Sequence, residues 1–471
     1  MIFSIDKNPA GEAALVDDSG TSITYGELNG YVKEFGNRIK GRALIFCFCK
    51  NMPGSVIGYL GCLENHHVAL LLDKNLEQQF LETLVEIYQP SYFWIPTQLR
   101  YKITGMFKEL IYEAQGYELF STGNEAPDMS DELSLLLTTS GSMGNPKLVR
   151  LSRDNLVSNA QAIADYLQLS PEERPVTSLP MNYTYGLSVI NSHLISGGSI
   201  LLTEKSVVQQ EFWDFVKEKK ATSFSGVPYT YELLKKIKIM NQDLTSIRYF
   251  TQAGGKLSSA MQKEFAVWAK EKGKRFYIMY GQTEATARMS YLPEERCLDK
   301  IGSIGIPIPG GRFLIKAPDG NYIDKPDTVG ELIYMGSNVS LGYAQCRKDL
   351  INGDENNGVL ETGDMARKDE DGYYYIAGRK KRFIKIYGVR IGLDECEQLL
   401  INKYEGAEFA CTGCDDELHI YTTDSQINEQ VCSWLSEVLH ISRKAFTSHY
   451  IEEIPKNNAG KKLYSGLELK N

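Results

Sequence analysis

Residues 135–152, LLLTTSGSMGNPKLVRLS, have the types and spacing that most clearly suggest chemistry. A hydrophobic strand leads into a loop of small and hydroxylated residues ending at Pro146-Lys147, and we expect a helix to follow the loop. Small residues let successive backbone N–H groups face one concavity, and the hydroxyls and Lys147 add donors and positive charge. The pattern predicts a phosphate-binding loop, although a flexible Gly/Ser linker has the same composition. It is not a Walker A loop, because G-x-x-x-x-G-K-[ST] occurs nowhere in the chain.

Three further segments carry side chains suited to a nucleotide. Residues 280–284 (YGQTE) follow a strand-like FYIMY and offer an aromatic face, a hydroxyl and a carboxylate of the kind that binds Mg²⁺. Residues 361–364 (ETGD) place Asp364 at a strand end, where a carboxylate can accept ribose hydroxyls; a hairpin with a solvated Asp is the alternative. Residues 454–461 (IPKNNAGK) form a lysine-bearing Pro/Asn/Gly loop, which alone also fits a frayed tail.

The elements that must position these segments follow an α/β pattern. In the first half, buried strands at residues 44–49, 69–72 and 199–202 alternate with helical segments, which is typical of βαβ units around mostly parallel sheets. The clearest helix spans residues 152–167 with Ser152 as its N-cap. After residue 330, glycines and aromatics indicate short antiparallel strands with tight turns. The fold class we predict is α/β, with βαβ-type sheets plus a small β-barrel-like portion. We predict an N-terminal core domain over residues 1–380 and a small α+β C-terminal domain over residues 381–471.

Composition excludes several classes of protein. The chain has 471 residues and a formal charge of −9, which disfavours binding of nucleic acid through bulk charge. Its apolar stretches are too short to span a membrane, and its first residues lack the apolar core of a signal peptide, so we expect a cytoplasmic protein without a membrane span. Nine scattered cysteines fit reduced thiols. Cys411 and Cys414 form a lone CxxC, which we interpret as a loop with two incidental thiols rather than a zinc site.

Together with residues 22–28 (SITYGEL), residues 330–336 (GELIYMG) and residues 378–391 (GRKKRFIKIYGVRI), these segments resemble the adenylate-forming enzymes over nearly the whole chain. That superfamily includes acyl-CoA synthetases, luciferase and peptide-synthetase adenylation domains. The resemblance implies that ATP and Mg²⁺ activate a carboxylic acid to an acyl-adenylate with release of pyrophosphate. The acyl group would then pass to a phosphopantetheine thiol, either of coenzyme A or of an acyl carrier protein.

The resemblance also assigns residues to the nucleotide and to catalysis. The ATP-binding set is Thr138, Thr139, Ser140, Gly141, Ser142, Gly144, Lys147, Gly254, Gly255, Tyr280, Gly281, Asp364 and Arg379. Tyr280 would stack on adenine, Asp364 would hold the ribose, Thr283 would touch the α-phosphate and Glu284 would ligate Mg²⁺. Lys461 matches the C-terminal catalytic lysine, which bridges the carboxylate and the α-phosphate. Lys381 would be the hinge of a mobile C-terminal domain and Lys385 would assist the second step, although both also fit a solvated basic face.

The acid is expected to bind partly on residues 180–187, PMNYTYGL. The predicted pocket residues are Asn182, Tyr183, Tyr185, Gly186 and Gly226, the last of which also fits a simple turn. No acidic residue lies between Glu173 and Glu204, and a buried ammonium without a carboxylate is costly, so an α-amino acid is disfavoured. Amino-acid adenylation for a carrier protein stays an alternative. So does nucleotide binding without catalysis, although the joint presence of Glu284, Asp364 and Lys461 argues against it.

Overall fold

The structure, a computed structural model, describes residues 1–138, 147–380, 382–387, 389–404, 406–456 and 460–467. Within these ranges the chain forms ten α-helices: α1 Tyr25–Asn37, α2 Pro53–Glu64, α3 Gln78–Tyr88, α4 Arg153–Leu167, α5 Thr184–Ile195, α6 Gln210–Glu218, α7 Pro228–Lys236, α8 Ser259–Glu271, α9 Leu393–Lys403 and α10 Asn428–Leu439.

The strands of the described residues, in chain order, are β1 Ala13–Asp17, β2 Ser22–Thr24, β3 Leu44–Cys49, β4 Val68–Asp73, β5 Tyr92–Pro96, β6 Glu109–Ala114, β7 Tyr117–Ser121, β8 Leu133–Thr138, β9 Leu148–Ser152, β10 Pro175–Val176, β11 Ile200–Leu202, β12 Ser223–Gly226, β13 Tyr249–Gln252, β14 Arg275–Tyr280, β15 Ser290–Leu292, β16 Ile306–Pro307, β17 Arg312–Lys316, β18 Gly330–Met335, β19 Gly342–Ala344, β20 Val359–Lys368, β21 Tyr374–Arg379, β22 Phe383–Ile386, β23 Val389–Gly392, β24 Phe409–Cys414, β25 Glu417–Thr422 and β26 Phe446–Tyr450.

Two large mixed sheets hold most of the strands of the first 344 residues. Among the described residues, one has nine strands in the order β16-β15-β14-β13-β12-β10-β11-β1-β2, and the other has eight in the order β19-β9-β8-β4-β3-β5-β7-β6. β12, β13 and β14 run parallel, with Gly226 opposite Gln252 and Gln252 opposite Ile278. Their carboxyl ends therefore meet at one edge, which is where parallel sheets usually bind ligands.

Local sequence explains where the best-defined helices begin. The Ser152 side chain accepts a hydrogen bond from the backbone of Asn155, whose side chain bonds back to Ser152, so a capping box starts α4. Thr24 and Glu27 start α1 in the same way. The predicted N-cap of the 152–167 helix and the predicted strands near residues 44–49, 69–72 and 199–202 are confirmed.

Two local expectations are wrong. The phosphate loop does not run directly into a helix, because β9 intervenes and pairs antiparallel with β8, placing Thr138 opposite Leu148. The loop therefore joins two strands, and α4 begins only after β9. Cys411 and Cys414 do not lie in a loop but on β24, where Cys411 is buried and Cys414 is exposed. Cys411 lies in the buried first half of the strand, and Cys414 is its exposed last residue.

The chain divides into two compact units. The first comprises Met1–Arg312 and Tyr334–Leu360, and the second comprises Phe313–Ile333 and Glu361–Asn471. The second unit holds most of the four-stranded sheet β17-β18-β20-β21, together with the sheets β22-β23 and β24-β25-β26. The predicted domain boundary between residues 380 and 381 stays a prediction.

The first unit is built in layers. α4 and α5 contribute buried side chains to two apolar clusters: Leu156 and Leu187 belong to one, and Ile163 and Val189 to the other. Each fully buried side chain of this size contributes about 1.5–3 kcal/mol to stability. A separate cluster formed by α9, α10 and β22–β26 stabilises the second unit. In the described part of the chain, none of the helices has both the length and the apolar character needed to cross a bilayer.

Candidate active site

Only the flanks of the predicted phosphate loop lie within the described residues. Thr138 ends β8, and Lys147 immediately precedes β9. The predicted ligands Thr139, Ser140, Gly141, Ser142 and Gly144 lie outside the described residues. The Lys147 ammonium nitrogen is 3.3 Å from the centroid of the Tyr343 ring, a cation–π contact that fixes where the loop returns to the sheet.

The YGQTE segment follows the carboxyl end of β14. Tyr280 is the last residue of that strand, and Thr283–Ala285 form a single 3₁₀ turn. Gly281 is required between them, because a Cβ at this position would lie 1.5 Å from the carbonyl oxygen of Ala287. Sterics at Gly281 thus determine the tight turn that presents the threonine and the glutamate.

Glu284 is held from two sides. Its backbone carbonyl accepts a hydrogen bond from Ser340 N at 2.8 Å, and its Oε1 accepts one from the Tyr343 hydroxyl at 2.9 Å. Burial, and then the neighbouring Glu284 carboxylate, raise the pKa of Tyr343, so the phenol stays protonated and keeps donating. One tyrosine therefore joins two predicted residues, Glu284 through its hydroxyl and Lys147 through its ring. We call these three residues the Glu284–Tyr343–Lys147 array.

The array fits a hard cation beside phosphates. Mg²⁺ prefers carboxylate and phosphate oxygens. Glu284 is half-buried, and its carboxylate has a second oxygen besides the one bonded to Tyr343. The donor chemistry is thus that of a Mg²⁺ ligand, with a lysine close by for the phosphates.

Thr283 connects the nucleotide segment to the predicted acid pocket. Its hydroxyl lies 2.9 Å from the hydroxyl of Thr184, the first residue of α5. The two hydroxyls bring the YGQTE segment and the PMNYTYGL segment together, as expected if the acid meets the α-phosphate here. Thr184 was not among the predicted site residues; its place in the polar segment NYTY was the available signal.

The predicted acid-pocket residues gather around the parallel strands. The Tyr185 hydroxyl lies 2.8 Å from the Thr251 hydroxyl on β13, and the Tyr183 and Tyr185 rings are 6.4 Å apart. Burial raises the pKa of both tyrosines to about 12, so both are neutral phenols. The Asn182 Oδ1 atom is buried without a hydrogen-bond partner, which leaves an acceptor for a ligand.

Close packing explains the predicted glycines. Gly254 has a φ of +85°, and a Cβ there would lie 2.4 Å from the Tyr183 hydroxyl oxygen. At Gly255 a Cβ would come within 3.1 Å of the Pro228 ring, and at Gly226 within 3.0 Å of the Tyr231 ring. A Cβ at Gly186 would lie 2.3 Å from the Pro180 carbonyl oxygen. Gly226 ends β12 and is therefore part of the strand edge rather than a simple turn.

The second unit contains the predicted ribose residues. Asp364 on β20 lies opposite Arg379 on β21, and Arg379 Nε is 2.7 Å from Asp364 Oδ1. The Asp364 side chain is only 2% exposed, whereas half of the Arg379 side chain is exposed. Arg379 therefore compensates the charge of the buried carboxylate and orients it.

The predicted lysines of the second unit have different settings. Lys461 is exposed and directly precedes Lys462, which forms an antiparallel bridge with Lys456. Lys385 is exposed on β22, and its backbone N–H donates to Asp415 at 2.9 Å. Lys381, the predicted hinge, lies outside the described residues.

A buried glutamate anchors the chain next to Lys461. The Glu397 carboxylate accepts hydrogen bonds from Lys462 Nζ at 2.6 Å, Arg382 Nη2 at 2.9 Å and the Tyr464 hydroxyl at 3.1 Å. The Arg382 guanidinium also stacks 3.5 Å from the Tyr464 ring centroid. This Glu397 cluster joins α9, the residue after the predicted hinge and the segment after Lys461. Sequence inspection missed it because its members are spread from residue 382 to residue 464.

Comparison with known proteins decides the family. The family model described as AMP-binding enzyme matches residues 4–344. The chain belongs to the AMP-binding enzyme family. It is 28% identical over 339 residues to the 2-succinylbenzoate–CoA ligase of Bacillus pumilus (strain SAFR-032), covering 70% of this chain and 68% of that protein. It is 25% identical over 432 residues to the feruloyl-CoA synthase of Amycolatopsis sp., covering 85% and 82%.

The fold of this AMP-binding enzyme also matches solved structures. The o-succinylbenzoate CoA synthetase of Bacillus subtilis, in complex with the acyl-adenylate OSB-AMP, aligns with a TM-score of 0.80 at 20% identity, over 100% of this chain and 98% of that chain. The predicted family, the α/β fold class and the AMP-forming acid–thiol ligase reaction are thereby confirmed, with ATP as the nucleotide. Mg²⁺ and the roles of individual residues stay predictions.

Two residues in contact with the predicted site residues, Tyr343 and Arg288, were not predicted from the sequence. Tyr343 lies on β19, about 60 residues after Glu284, and nothing in its surroundings GYAQ marks it as functional. Arg288 lies four residues after Glu284 and is buried among tyrosines. A charged residue directly after a motif at a strand end was the available signal for Arg288.

Proposed function

We propose that this AMP-binding enzyme joins a carboxylic acid to AMP and then forms a thioester with coenzyme A. In the first step a carboxylate oxygen of the acid bonds to the α-phosphorus of ATP, and the bond from that phosphorus to the bridging oxygen of the β-phosphate breaks. Pyrophosphate leaves. In the second step the thiol sulfur bonds to the acyl carbon, the carbon–oxygen bond to AMP breaks, and the thiol proton passes to solvent. The Glu284–Tyr343–Lys147 array is the observation that carries this proposal.

Charge repulsion is the main obstacle in the first step, because both reactants are anions. Catalysis of such a reaction rests on positioning and on neutralising charge in a site prepared beforehand. Lys147 contributes positive charge for the departing pyrophosphate, and the hydroxyls of Thr283 and Thr184 donate to the α-phosphate and to the attacking carboxylate. Mg²⁺ held by Glu284 would supply further neutralisation of the phosphates. The Tyr343 hydroxyl keeps the Glu284 carboxylate oriented for that purpose.

The second unit contributes the residues that recognise the ribose and the lysine that is withdrawn after the first step. Asp364, oriented by Arg379, accepts the ribose hydroxyls. Lys461 supplies the positive charge between the attacking carboxylate and the α-phosphate, and the Glu397 cluster sets the position of its loop. Rotation at Lys381 would withdraw Lys461 once the adenylate has formed, and Lys385 would then assist the thiol step.

Coenzyme A is the acceptor that the comparisons favour. Both curated relatives described above are coenzyme A ligases by name. A phosphopantetheine on an acyl carrier protein presents the same thiol, so that acceptor is an outcome of the test below. The absence of an acidic residue in the PMNYTYGL segment favours a carboxylic acid without an α-ammonium group.

Pyrophosphate exchange into ATP tests the first step. Wild-type enzyme should show exchange that depends on an added carboxylic acid, and addition of coenzyme A should convert the adenylate to a thioester detectable by mass. A Lys461→Ala variant should lose exchange at least 100-fold while keeping its melting temperature. Lys263→Ala, which alters an exposed lysine on α8, is the matched control and should behave as wild type. Full exchange by the Lys461 variant would remove that lysine from the mechanism.

The acceptor is tested in the same assay. Thioester formation with coenzyme A supports the proposal, whereas formation only on an acyl carrier protein would replace coenzyme A as the acceptor. Exchange that responds only to amino acids would overturn the choice of acid. ATP binding without exchange for any acid would overturn the catalytic assignment.

A further inference from the structure

Arg288 is a buried cation with neutral neighbours. The residue is 2% exposed. Its Nη1 donates to the Tyr166 hydroxyl at 3.0 Å and lies 3.1 Å from Met279 Sδ. Its guanidinium carbon lies 4.9 Å from the centroid of the Tyr185 ring. Its Nε is buried and has no hydrogen-bond partner.

Within the described residues, Arg288 forms no ion pair with a carboxylate, and the tyrosines around it do not replace one. Burial raises the pKa of Tyr166, and it raises the pKa of Tyr185 to about 12, even though the guanidinium acts in the opposite direction. Both phenols are therefore neutral at physiological pH. A guanidinium keeps its charge when buried, and it is costly to bury such a charge without an anion.

Arg150 is a second buried arginine, and its contacts are those of a residue with a structural role. Its side chain is 0% exposed, and Nη2 lies 2.5 Å from Glu355 Oε2. Its Nε and Nη2 also donate to the carbonyls of Tyr343 and Leu341, and Nη1 donates to Asn352 and Gly353. Every nitrogen of Arg150 has a partner, and its charge is neutralised. Arg288 has neither property.

Arg288 is located at the predicted acid pocket. Tyr185, over whose ring the guanidinium lies, is a pocket residue on α5, and the preceding residue, Thr184, contacts Thr283 of the nucleotide segment. Tyr166, which accepts its hydrogen bond, stacks on Tyr291 with centroids 4.2 Å apart. The guanidinium thus lies against the aromatic rings of Tyr166 and Tyr185, the second of which is a predicted pocket residue.

We infer that Arg288 binds a second anionic group on the acid, such as a carboxylate or a sulfonate, distal to the carboxylate that is adenylated. This inference rests on the proposed function, because it concerns the acid that the site activates. The unpartnered Nε and the planar fork of the guanidinium suit an oxygen anion. The aromatic rings around it suit a short apolar or aromatic spacer between the two acidic groups.

Matched acid pairs test this inference. Each pair consists of a dicarboxylic acid and its half-amide, in which the distal carboxylate becomes a neutral group of the same shape. Acid-dependent pyrophosphate exchange is measured with aliphatic and aryl pairs and with the corresponding sulfonates. We expect kcat/KM of the wild-type enzyme to be about 100-fold higher for the dianionic member, since a site built around a polar group rejects an analogue that leaves the group unpaired.

Variants separate recognition from structure. Arg288→Met keeps an unbranched apolar side chain and removes the charge. It should abolish the preference, so that the ratio of kcat/KM for the diacid to kcat/KM for the half-amide falls from about 100 to about 1. Arg288→Lys, which keeps the charge but not the fork, should retain part of the preference. Tyr291→Phe is the control within the same aromatic group and should change kcat/KM for both acids by the same factor. Thermal melts show whether each variant is folded, and the wild-type preference tests the inference without any variant.

Each negative result has a different consequence for the inference and for the proposed function. If the wild type uses half-amides or monoacids as well as the diacids, the inference is overturned while the proposed function stands. Equal losses on both acids in Arg288→Met would make Arg288 a structural residue and also overturn it. If no acid supports exchange although ATP binds, the proposed function fails, and the inference fails with it.

Discussion

Replacement of Tyr343 by Phe tests the Glu284–Tyr343–Lys147 array most directly. The variant removes the hydroxyl that donates to Glu284 Oε1 at 2.9 Å and keeps the ring beneath Lys147. A hydrogen bond to a charged group is worth about 1.5–3 kcal/mol. At about 1.4 kcal/mol per factor of ten, we expect kcat/KM for pyrophosphate exchange to fall about 10- to 150-fold if the bond holds Glu284 in the transition state.

The same variant also predicts a change in metal dependence. If Glu284 binds Mg²⁺, a less well oriented carboxylate should raise the Mg²⁺ concentration needed for half-maximal exchange. Tyr343→Leu removes the ring as well and should weaken exchange further, because a cation–π contact adds about 0.5–2 kcal/mol. The measurement is exchange at varied Mg²⁺ and ATP, with melting curves to confirm folding.

One result would refute this reasoning. If Tyr343→Phe exchanges pyrophosphate like wild type at every Mg²⁺ concentration, the hydroxyl does not position a catalytic carboxylate. The array would then be a packing contact. The raised pKa of Tyr343 keeps its phenol protonated across the usual assay range, so titration of that group does not produce a false negative.

Three further predictions concern stability and pH. Gly254→Ala should destabilise the protein by about 1–3 kcal/mol and weaken exchange, because the φ of Gly254 is +85° and the new Cβ would lie 2.4 Å from the Tyr183 hydroxyl oxygen. Gly320→Ala is the control for the backbone effect alone, because Gly320 has a similar φ and open space around it. Equal losses of stability in the two variants would contradict the packing argument. Glu397→Gln should lower the free energy of unfolding of the second unit by about 3–5 kcal/mol and reduce exchange. Glu395→Gln, on the exposed face of α9, is the control and should change neither. A wild-type melting curve for Glu397→Gln would exclude the Glu397 cluster as an anchor. Burial lowers the pKa of His193 to about 3, so the unfolded chain binds more protons than the folded chain between pH 3 and about 6.5. The free energy of unfolding should therefore fall as the pH drops through that window. In denaturant titrations His193→Gln should reduce this dependence of stability on pH, and an unchanged dependence would assign it to other groups.

Local patterns predicted the elements that depend on local physics. The N-cap at Ser152 and the buried strand at residues 44–49 follow from side chains close together in the sequence. Such local signals did not predict β9, the strand that follows the phosphate loop. The run Leu148–Ser152 is too short for a periodic pattern, and it is a strand because β8 and β19 pair with it on its two sides.

The sequence of this AMP-binding enzyme by itself determined the family, the order of its nucleotide-binding segments and most residues proposed to contact ATP. Those residues lie in short motifs because a turn or strand end needs only its neighbours to take shape. Tertiary structure alone decided which distant side chains complete them: Tyr343 beside Glu284, Thr184 beside Thr283, and Glu397 behind Lys461's loop. It also decided that Arg150 has a carboxylate partner and Arg288 has none among the described residues. Whether a buried charge is neutralised depends on strands and helices far apart in the chain, and only folding brings those together.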